Sequence, residues 1–343
     1  MRMLFVESDQ TRDNSGYLQL LSLNDTNVLK GFALLLLLWH HLFYVNDGLY
    51  DDIHLFNNYS LVQEIGKLSK LCVTLFVMLS GYGLAVVVEQ TGGVHNLKGF
   101  YFRRFKKLFL NYWLIWGIFV PISIFFFNYT FCDAYKYDVT QQLLLDFLGL
   151  HDIFYHYPLM SYNPTWWFYS CIILLYLVFP FLFRWIKKDP LSVVLASIVI
   201  SFIPISHFAV IQFNILAFVI GIIMVLYKSP PFSYMIYAFL LSLLAILRII
   251  NAYPLMFDCF LSTALVQLYR CISIYAPIKQ ALAFIGRHSM NIFLFHTFIF
   301  GIWFQDFIYA SRNPIIIFLT LLLLCIPISM LLERIKKYTI LRL

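Results

Sequence analysis

The feature that most constrains this chain is a series of long apolar runs that recurs from residue 28 to residue 332. Each run is continuous, whereas the strands of a membrane β-barrel alternate between apolar and polar residues over segments of about ten residues. Backbone polar groups inside a bilayer must be satisfied within their own segment, so continuous runs predict helices. We predict an all-α polytopic membrane protein with about ten transmembrane helices, at residues 28–45, 69–88, 108–128, 166–185, 191–206, 208–227, 232–250, 255–269, 288–308 and 314–332.

Composition excludes a water-soluble protein. Hydrophobic residues make up 62% of the 343 residues and charged residues only 12%, whereas soluble domains usually carry about 25% charged residues. A soluble chain of this size has too little polar surface to cover so many apolar side chains. The amphipathic stretch 139–150 is too short to span, and we predict that it lies at the interface or re-enters the bilayer.

The distribution of charge predicts the orientation. If the N-terminus is cytoplasmic, only five of the 24 Lys and Arg residues fall on the opposite side: Lys67, Lys70, Lys136, Arg248 and Arg312. Cytoplasmic loops are enriched in Lys and Arg, so we predict that both termini are cytoplasmic. The predicted division is a cytoplasmic N-terminal segment (1–27), a transmembrane domain (28–332) and a cytoplasmic C-terminal tail (333–343).

The same bias explains the net charge of +7 without nucleic acid, because no basic stretch is long enough to follow a phosphate backbone. The six cysteines are scattered, mostly inside apolar runs, and no CxxC or Cys/His cluster occurs. The sequence therefore indicates neither a disulfide framework nor a zinc site, and we expect no bound metal.

Two ionisable residues in the first span require an explanation, because such groups are unfavourable in lipid. Lys30 and His41 are eleven residues apart, which puts them within about 20° on one helical face and about 16 Å apart along it. His40 points about 80° away. In one interpretation Lys30 snorkels and the histidines are interfacial. In the other, His41 is a base that faces a polar cavity.

A basic segment leads into the third span and contains Arg103, Arg104, Lys106 and Lys107 within five residues. A cluster of this kind beside a bilayer binds anionic headgroups or phosphorylated ligands. It also serves as an ordinary orientation signal. Neither this segment nor the first span names an activity by itself.

Taken in order, several segments resemble the acyltransferase 3 family of membrane O-acyltransferases. The first span of that family typically has a basic residue, ten intervening positions and a histidine, which Lys30 and His41 match. The further segments that are similar to family stretches are Leu75–Tyr82, Phe102–Leu108, Pro164–Tyr169, Tyr176–Pro180 and Ile285–His296. Each is a weak signal alone, but their common order from about residue 28 to residue 300 is specific.

The chain departs from the family pattern at two places. An Arg-x-x-Arg pattern becomes Arg104-x-x-Lys107, which keeps the charge but loses one planar guanidinium fork. Many members also carry a glutamate shortly after the Trp motif, where this chain has Ser170-Cys171. A role for that glutamate therefore cannot be transferred.

The resemblance implies transfer of an acyl group, commonly acetyl from acetyl-CoA, to a hydroxyl of a surface glycan or its lipid-linked precursor at the bacterial inner membrane. It implies no bound cofactor, since the acyl-CoA is a substrate. His41 is the expected catalytic residue, as a base or as an acyl carrier. The expected residues for the CoA phosphates are Lys30, Arg103, Arg104, Lys106 and Lys107.

Other residues are candidates for lining the same cavity. An oxyanion donor is required, and Ser80, Tyr169 and Ser170 are candidates. Trp167 suits either sugar stacking or an aromatic belt, and His296 either faces the cavity or is a packing histidine. Two other functions stay open, a glycan or lipid transporter or flippase and a non-catalytic scaffold. The acceptor and the oligomeric state stay open as well.

Overall fold

The computed structural model describes residues 20–45, 47–55, 59–93, 96–135, 138–150, 161–203, 209–227, 234–250 and 254–340. Residues 1–19 of the predicted N-terminal segment, residues 341–343 of the predicted tail, and the parts of predicted spans at 204–206, 208 and 232–233 lie outside these ranges. Within them the chain is helical, apart from turns and one short hairpin. In that hairpin β1 (His54–Leu55) pairs antiparallel with β2 (Tyr59–Ser60).

Sixteen α-helices follow one another along the described residues: α1 (Leu23–Phe43), α2 (Leu61–Leu68), α3 (Cys72–Gln90), α4 (Leu97–Phe127), α5 (Phe131–Ala134), α6 (Val139–Phe147), α7 (Trp167–Lys188), α8 (Pro190–Phe202), α9 (Ala209–Gln212), α10 (Ile215–Leu226), α11 (Tyr234–Ile250), α12 (Pro254–Cys271), α13 (Ala276–Arg287), α14 (Ser289–Thr297), α15 (Gln305–Tyr309) and α16 (Pro314–Ile340). Two 3-10 turns, Ser69–Leu71 and Pro164–Trp166, precede α3 and α7. A π-helical turn, Phe298–Trp303, continues α14.

A helix coincides with each of the ten predicted spans, in the part of each span that the structure describes. Five segments there are long and apolar enough to cross a membrane, namely Leu23–Phe43, Leu61–Gln90, Leu97–Phe127, Pro164–Lys188 and Pro314–Tyr338. Three shorter apolar helices are Pro190–Phe202, Ile215–Leu226 and Ser289–Trp303. The protein is therefore a helical membrane protein, while the number of spans and the orientation stay predictions.

The start of α1 is defined by local hydrogen bonds. Ser22 accepts from the backbone of Asp25, whose carboxylate accepts in return from the Ser22 backbone, so the two form a capping box. The same carboxylate receives a hydrogen bond of 2.6 Å from the Tyr269 hydroxyl and an ion pair of 2.9 Å from Lys279. Asp25 therefore ties the first turn of α1 to α12 and α13.

Glycines allow two pairs of helices to approach closely. A methyl group on Gly31 of α1 would lie 2.0 Å from the Leu282 carbonyl oxygen, and one on Gly286 of α13 would lie 1.8 Å from the Asn27 carbonyl oxygen. Between α3 and α10 the corresponding glycines are Gly81 and Gly221. Close backbone contact of this kind is typical of helices that associate in a membrane, and it fixes α1 against α13 beside Lys30.

Candidate active site

The two predicted residues of α1 lie at different depths on one face. Both Lys30 and His41 are half-buried. His40 has a separate role, because its Nδ1 lies 2.8 Å from the Gly66 carbonyl oxygen and its ring packs against Tyr44 at 4.9 Å. The contact ties α1 to α2. The neighbouring histidines therefore differ, one held by the backbone and the other turned toward the protein interior.

His41 faces His296 of α14. The centroids of the two imidazole rings are 5.0 Å apart, and His296 is fully buried. Nδ1 of His296 lies 3.0 Å from the carbonyl oxygens of both Ile292 and Phe293. Because a carbonyl oxygen only accepts, Nδ1 carries the proton and Nε2 carries a lone pair. That Nε2 is buried and has no hydrogen-bond partner among the residues the structure describes.

The backbone around His296 is held from the side by the segment before α7. The Leu294 carbonyl oxygen accepts hydrogen bonds from the Trp166 indole at 2.8 Å and from the Asn163 amide at 3.2 Å. The π-helical turn follows directly, and such turns are frequent at functional sites. The side chains of Asn163 and Trp166, both buried, thus position α14 by binding its backbone.

The basic segment of α4 divides into two faces. Arg104 is half-buried and lies within electrostatic range of the Tyr176 hydroxyl, which hydrogen-bonds Ser80. Arg103 and Lys106 are exposed, and the Lys106 ammonium lies 6.0 Å from the ring centroid of Phe102 on its own helix. Of the four cations of α4 that were predicted to bind the donor, Arg104 therefore faces the helix bundle, while Arg103 and Lys106 lie on its surface.

Lys107 is exposed but lies close enough to both Lys30 of α1 and Lys336 of α16 for their charges to interact. Three ammonium groups from helices far apart in sequence thus converge. We call Lys30, Arg104, Lys107 and Lys336 the basic mouth. Like charges that converge at a partly buried place are unfavourable unless anions offset them. Glu333 pairs with Lys336, and the remaining positive charge suits an anionic ligand.

Lys336 is the best anchored cation of the basic mouth. Its ammonium donates to Glu333 at 2.7 Å and to the Asn291 amide oxygen. The Asn291 amide donates in turn to Glu333 at 2.7 Å and to the Ser329 hydroxyl at 3.1 Å. His288 joins the network through a contact of 2.9 Å between its Nδ1 and Ser329. The network joins the start of α14 to the end of α16.

The remaining predicted cavity residues have different environments. Ser170 is buried and donates to the Gly149 carbonyl oxygen at 2.6 Å, so its hydroxyl proton is already engaged. Tyr169 stacks on Tyr112 with centroids 4.3 Å apart, and its buried hydroxyl has no hydrogen-bond partner within the described ranges. Trp167 is half-buried and packs edge-on against Phe168. Tyr169 therefore suits donation to a ligand better than Ser170 does.

A comparison with protein families decides the class of the protein. A family model described as an acyltransferase domain, that of acyltransferase 3, matches residues 23–334. The chain belongs to the acyltransferase 3 family. No curated protein and no solved structure matched the chain.

In this acyltransferase the contacting pair His41 and His296 is the best candidate for the reacting centre. The part of the chain that the structure describes contains no group of three His, Cys, Asp or Glu residues placed to bind a metal ion. In this pair the His41 imidazole faces the His296 imidazole, whose Nε2 carries a lone pair with no partner in the described residues. Two rings at this distance disfavour simultaneous charging, by about 3 kcal/mol at an effective dielectric constant of about 20. A neutral imidazole is what a general base requires.

Sequence reasoning did not single out three polar residues of this acyltransferase that the structure brings into view. Lys336 and Asn291 complete the basic mouth, and Asn111 is a buried amide in α4. Lys336 looked like part of an ordinary cytoplasmic tail. A signal did exist for Asn111, because an amide in an apolar helix needs a partner that the sequence around it does not supply.

Proposed function

We propose that this membrane acyltransferase moves an acetyl group from cytoplasmic acetyl-CoA to a hydroxyl of a surface glycan or its lipid-linked precursor in the bacterial inner membrane. The single observation that carries the proposal is the contact between His41 and the fully buried His296, at 5.0 Å between ring centroids. The basic mouth at the other end of the same face of α1 supports an anionic donor.

In the direct route, a ring nitrogen of His41 takes the proton of the acceptor hydroxyl as its oxygen attacks the thioester carbonyl. The new C–O bond forms, the C–S bond breaks, and the CoA sulfur leaves as a thiolate that takes the proton back from His41. In this proposal the lone pair on Nε2 of His296, which has no partner in the described residues, becomes available to a ring N–H of His41 when the substrates bind, and the bond then formed stabilises the His41 tautomer that exposes a basic nitrogen. His296 is a positioning residue in this scheme.

In the covalent route, His41 itself attacks the thioester and holds the acyl group before the acceptor receives it. The two routes differ in one observable. Purified protein mixed with acetyl-CoA in the absence of acceptor releases one equivalent of CoA rapidly in the covalent route, and releases none in the direct route.

The basic mouth provides the donor end. Lys30, Lys107 and Lys336 come from α1, α4 and α16, and Arg104 adds a guanidinium beside Tyr176. Glu333 offsets one of these charges, and the phosphates of CoA would offset the rest. Lys30 and His41 are about 16 Å apart along α1. This distance matches the length of the part of acetyl-CoA that joins its phosphates to its thioester.

The decisive experiment supplies acetyl-CoA labelled in its acetyl group to membranes that contain the wild-type protein, His41→Ala or His40→Ala. We expect label in glycan with wild type and with His40→Ala, and no label with His41→Ala. Deletion of the gene should remove an acetyl substituent from surface glycan in mass analysis. A transporter or flippase would move its cargo without transferring label, and full transfer by His41→Ala would overturn the assignment.

A further inference from the structure

Asn111 of α4 has a carboxamide side chain that is buried in the protein. Its side chain is nine-tenths buried, and neither its nitrogen nor its oxygen has a hydrogen-bond partner in the described ranges of the chain. Nearly all buried polar groups in proteins are hydrogen-bonded, so an amide with both functions free needs an explanation. A donor and an acceptor left free on one rigid group indicate a ligand that offers the complementary pair.

The two residues that follow Asn111, unlike Asn111 itself, have hydrogen-bond partners in the described residues. The Tyr112 hydroxyl donates to the Asp146 carbonyl oxygen at 2.6 Å, and the Trp113 indole donates to the Phe147 carbonyl oxygen at 2.9 Å. The C-terminal end of α6 thus satisfies both neighbours on α4. Asn111 lies on a different face of α4 from these two residues.

Helical geometry shows what Asn111 faces. It follows Arg104 by seven residues and Lys107 by four, which places it about 20° from Arg104 and about 40° from Lys107 around the α4 axis. It therefore lies on the face flanked by these two cations, about 6 Å further along the helix than Lys107. The amide is an inward continuation of the basic mouth.

The depth of Asn111 relative to the histidines follows from a ring contact. Phe119 of α4 stacks on Phe295, the neighbour of His296, with centroids 5.0 Å apart. Asn111 precedes Phe119 by eight residues, or about 12 Å of helix. The amide therefore lies between the level of the basic mouth and the level of the His41–His296 pair.

We propose that Asn111 binds an amide group of the pantetheine arm of the acyl donor, donating from its nitrogen and accepting at its oxygen. The inference rests on the proposed acyl-CoA donor. Between its phosphates and its thioester CoA carries two secondary amides, each with one N–H and one C=O. A carboxamide side chain matches such a group in both functions, and Asn111 lies on the path that the arm takes from the basic mouth to His41.

The test measures binding to the purified full-length protein. The ligands are coenzyme A and adenosine 3′,5′-bisphosphate, which keeps phosphates but lacks the arm. In Asn111→Leu, we expect affinity for coenzyme A to fall about tenfold or more, because two hydrogen bonds are lost. Affinity for the bisphosphate should stay within about twofold of wild type. Asn111→Ala serves as a second variant, and Trp113→Phe, on the same turn of α4, is the matched control that should match wild type with both ligands.

A second readout separates a ligand-binding amide from a structural one. Removal of the Asn111 amide should leave the Tm of the ligand-free protein unchanged or higher, since the amide has no hydrogen-bond partner among the described residues. A clear fall in Tm for both Asn111→Leu and Asn111→Ala would show a structural role and overturn the inference. Equal losses of affinity for both ligands would overturn it as well.

Failure of this inference can be distinguished from failure of the proposed function. If wild type binds coenzyme A and the bisphosphate, and Asn111→Leu binds both equally well, the assignment of Asn111 is wrong and the acyl-CoA donor stands. If wild type binds neither ligand, the donor assignment itself is wrong, and the inference about Asn111 is overturned with it.

Discussion

The two ends of the face of α1 that runs from Lys30 to His41 are built differently. At the inner end, His296 is fully buried, two backbone carbonyls hold its Nδ1, and Trp166 fixes the adjoining turn of α14. At the basic mouth, Lys30 is half-buried and Lys107 is exposed. The inner end is held by hydrogen bonds to the backbone, while the basic mouth combines an anchored cation, Lys336, with an ammonium group at the surface, that of Lys107.

The difference matches two chemical tasks. Proton transfer requires reacting atoms within hydrogen-bond reach of each other, so the groups around them must be held by their neighbours. Binding of a polyanion depends on charge and tolerates flexible ammonium groups that adjust to the ligand. We therefore expect substitutions at the inner end to act on turnover and substitutions at the basic mouth to act on donor affinity.

The largest effect should come from His41. His41→Ala should lower kcat for acyl transfer about 100-fold to 10,000-fold, the contribution of a general base, with KM for the donor little changed. His40→Ala, its matched control, removes a contact with the Gly66 carbonyl oxygen and should lower kcat by less than about tenfold. If the two substitutions lowered kcat equally, His41 would have no catalytic role that His40 lacks.

Substitutions in the basic mouth should change KM for acyl-CoA. Arg104→Gln combined with Lys107→Gln should raise KM for acyl-CoA about tenfold to 100-fold, because charge-assisted contacts with phosphate are lost, while kcat stays near that of wild type. The control is Arg103→Gln combined with Lys106→Gln, which removes as much charge from the exposed face of α4. If both double variants shift KM equally, the response depends on the net charge of the segment and not on the inward face.

Lys336 tests whether α16 takes part in the basic mouth. Lys336→Met should raise KM for acyl-CoA about fivefold to tenfold through loss of one cation. Lys337→Met is the control, since Lys337 is the exposed neighbour. Steady-state kinetics at several acyl-CoA concentrations measure both. An unchanged KM in Lys336→Met would confine the donor site to α1 and α4.

The glycine contact between α1 and α13 should matter for stability. Gly286→Ala would place a methyl group 1.8 Å from the Asn27 carbonyl oxygen, and we expect a loss of about 1–3 kcal/mol in the free energy of unfolding. Gly83→Ala is the control, because no atom lies within 4 Å of the methyl group it would add. Thermal unfolding in detergent compares them. A stable Gly286→Ala would show that α1 and α13 can separate at the basic mouth.

The smallest effect should come from Trp166. Trp166→Phe removes one hydrogen bond of 2.8 Å to the Leu294 carbonyl oxygen, worth about 1 kcal/mol. We expect kcat to fall about fivefold, with donor KM unchanged. The control, Trp167→Phe, alters a half-buried ring that packs against Phe168. A larger effect of Trp167→Phe would show that Trp167 itself, and not the positioning of α14 by Trp166, is what activity requires of this segment.

The sequence could predict the helices because their signals are local. Continuous apolar runs act within one segment, and a helix lies at every predicted span in the described residues. The sequence did not predict the break between α13 and α14 or the π-helical turn after α14. The break begins at His288. The π-helical turn comes shortly after Leu294 of α14, whose carbonyl oxygen accepts hydrogen bonds from Asn163 and Trp166, more than 125 residues away.

The candidate site was predictable to the extent that one helix determines it. Eleven residues of helical spacing place Lys30 and His41 on a common face of α1, whatever surrounds them. The sequence alone also indicated membership of an acyltransferase family. Which residues meet that face depended on tertiary structure, because contacts between distant helices leave no periodicity in the sequence. Three features of the site depend on how the helices pack together. They are the contact between His296 and His41, the position of Lys336 near Lys107, and the exposure of Arg103 and Lys106.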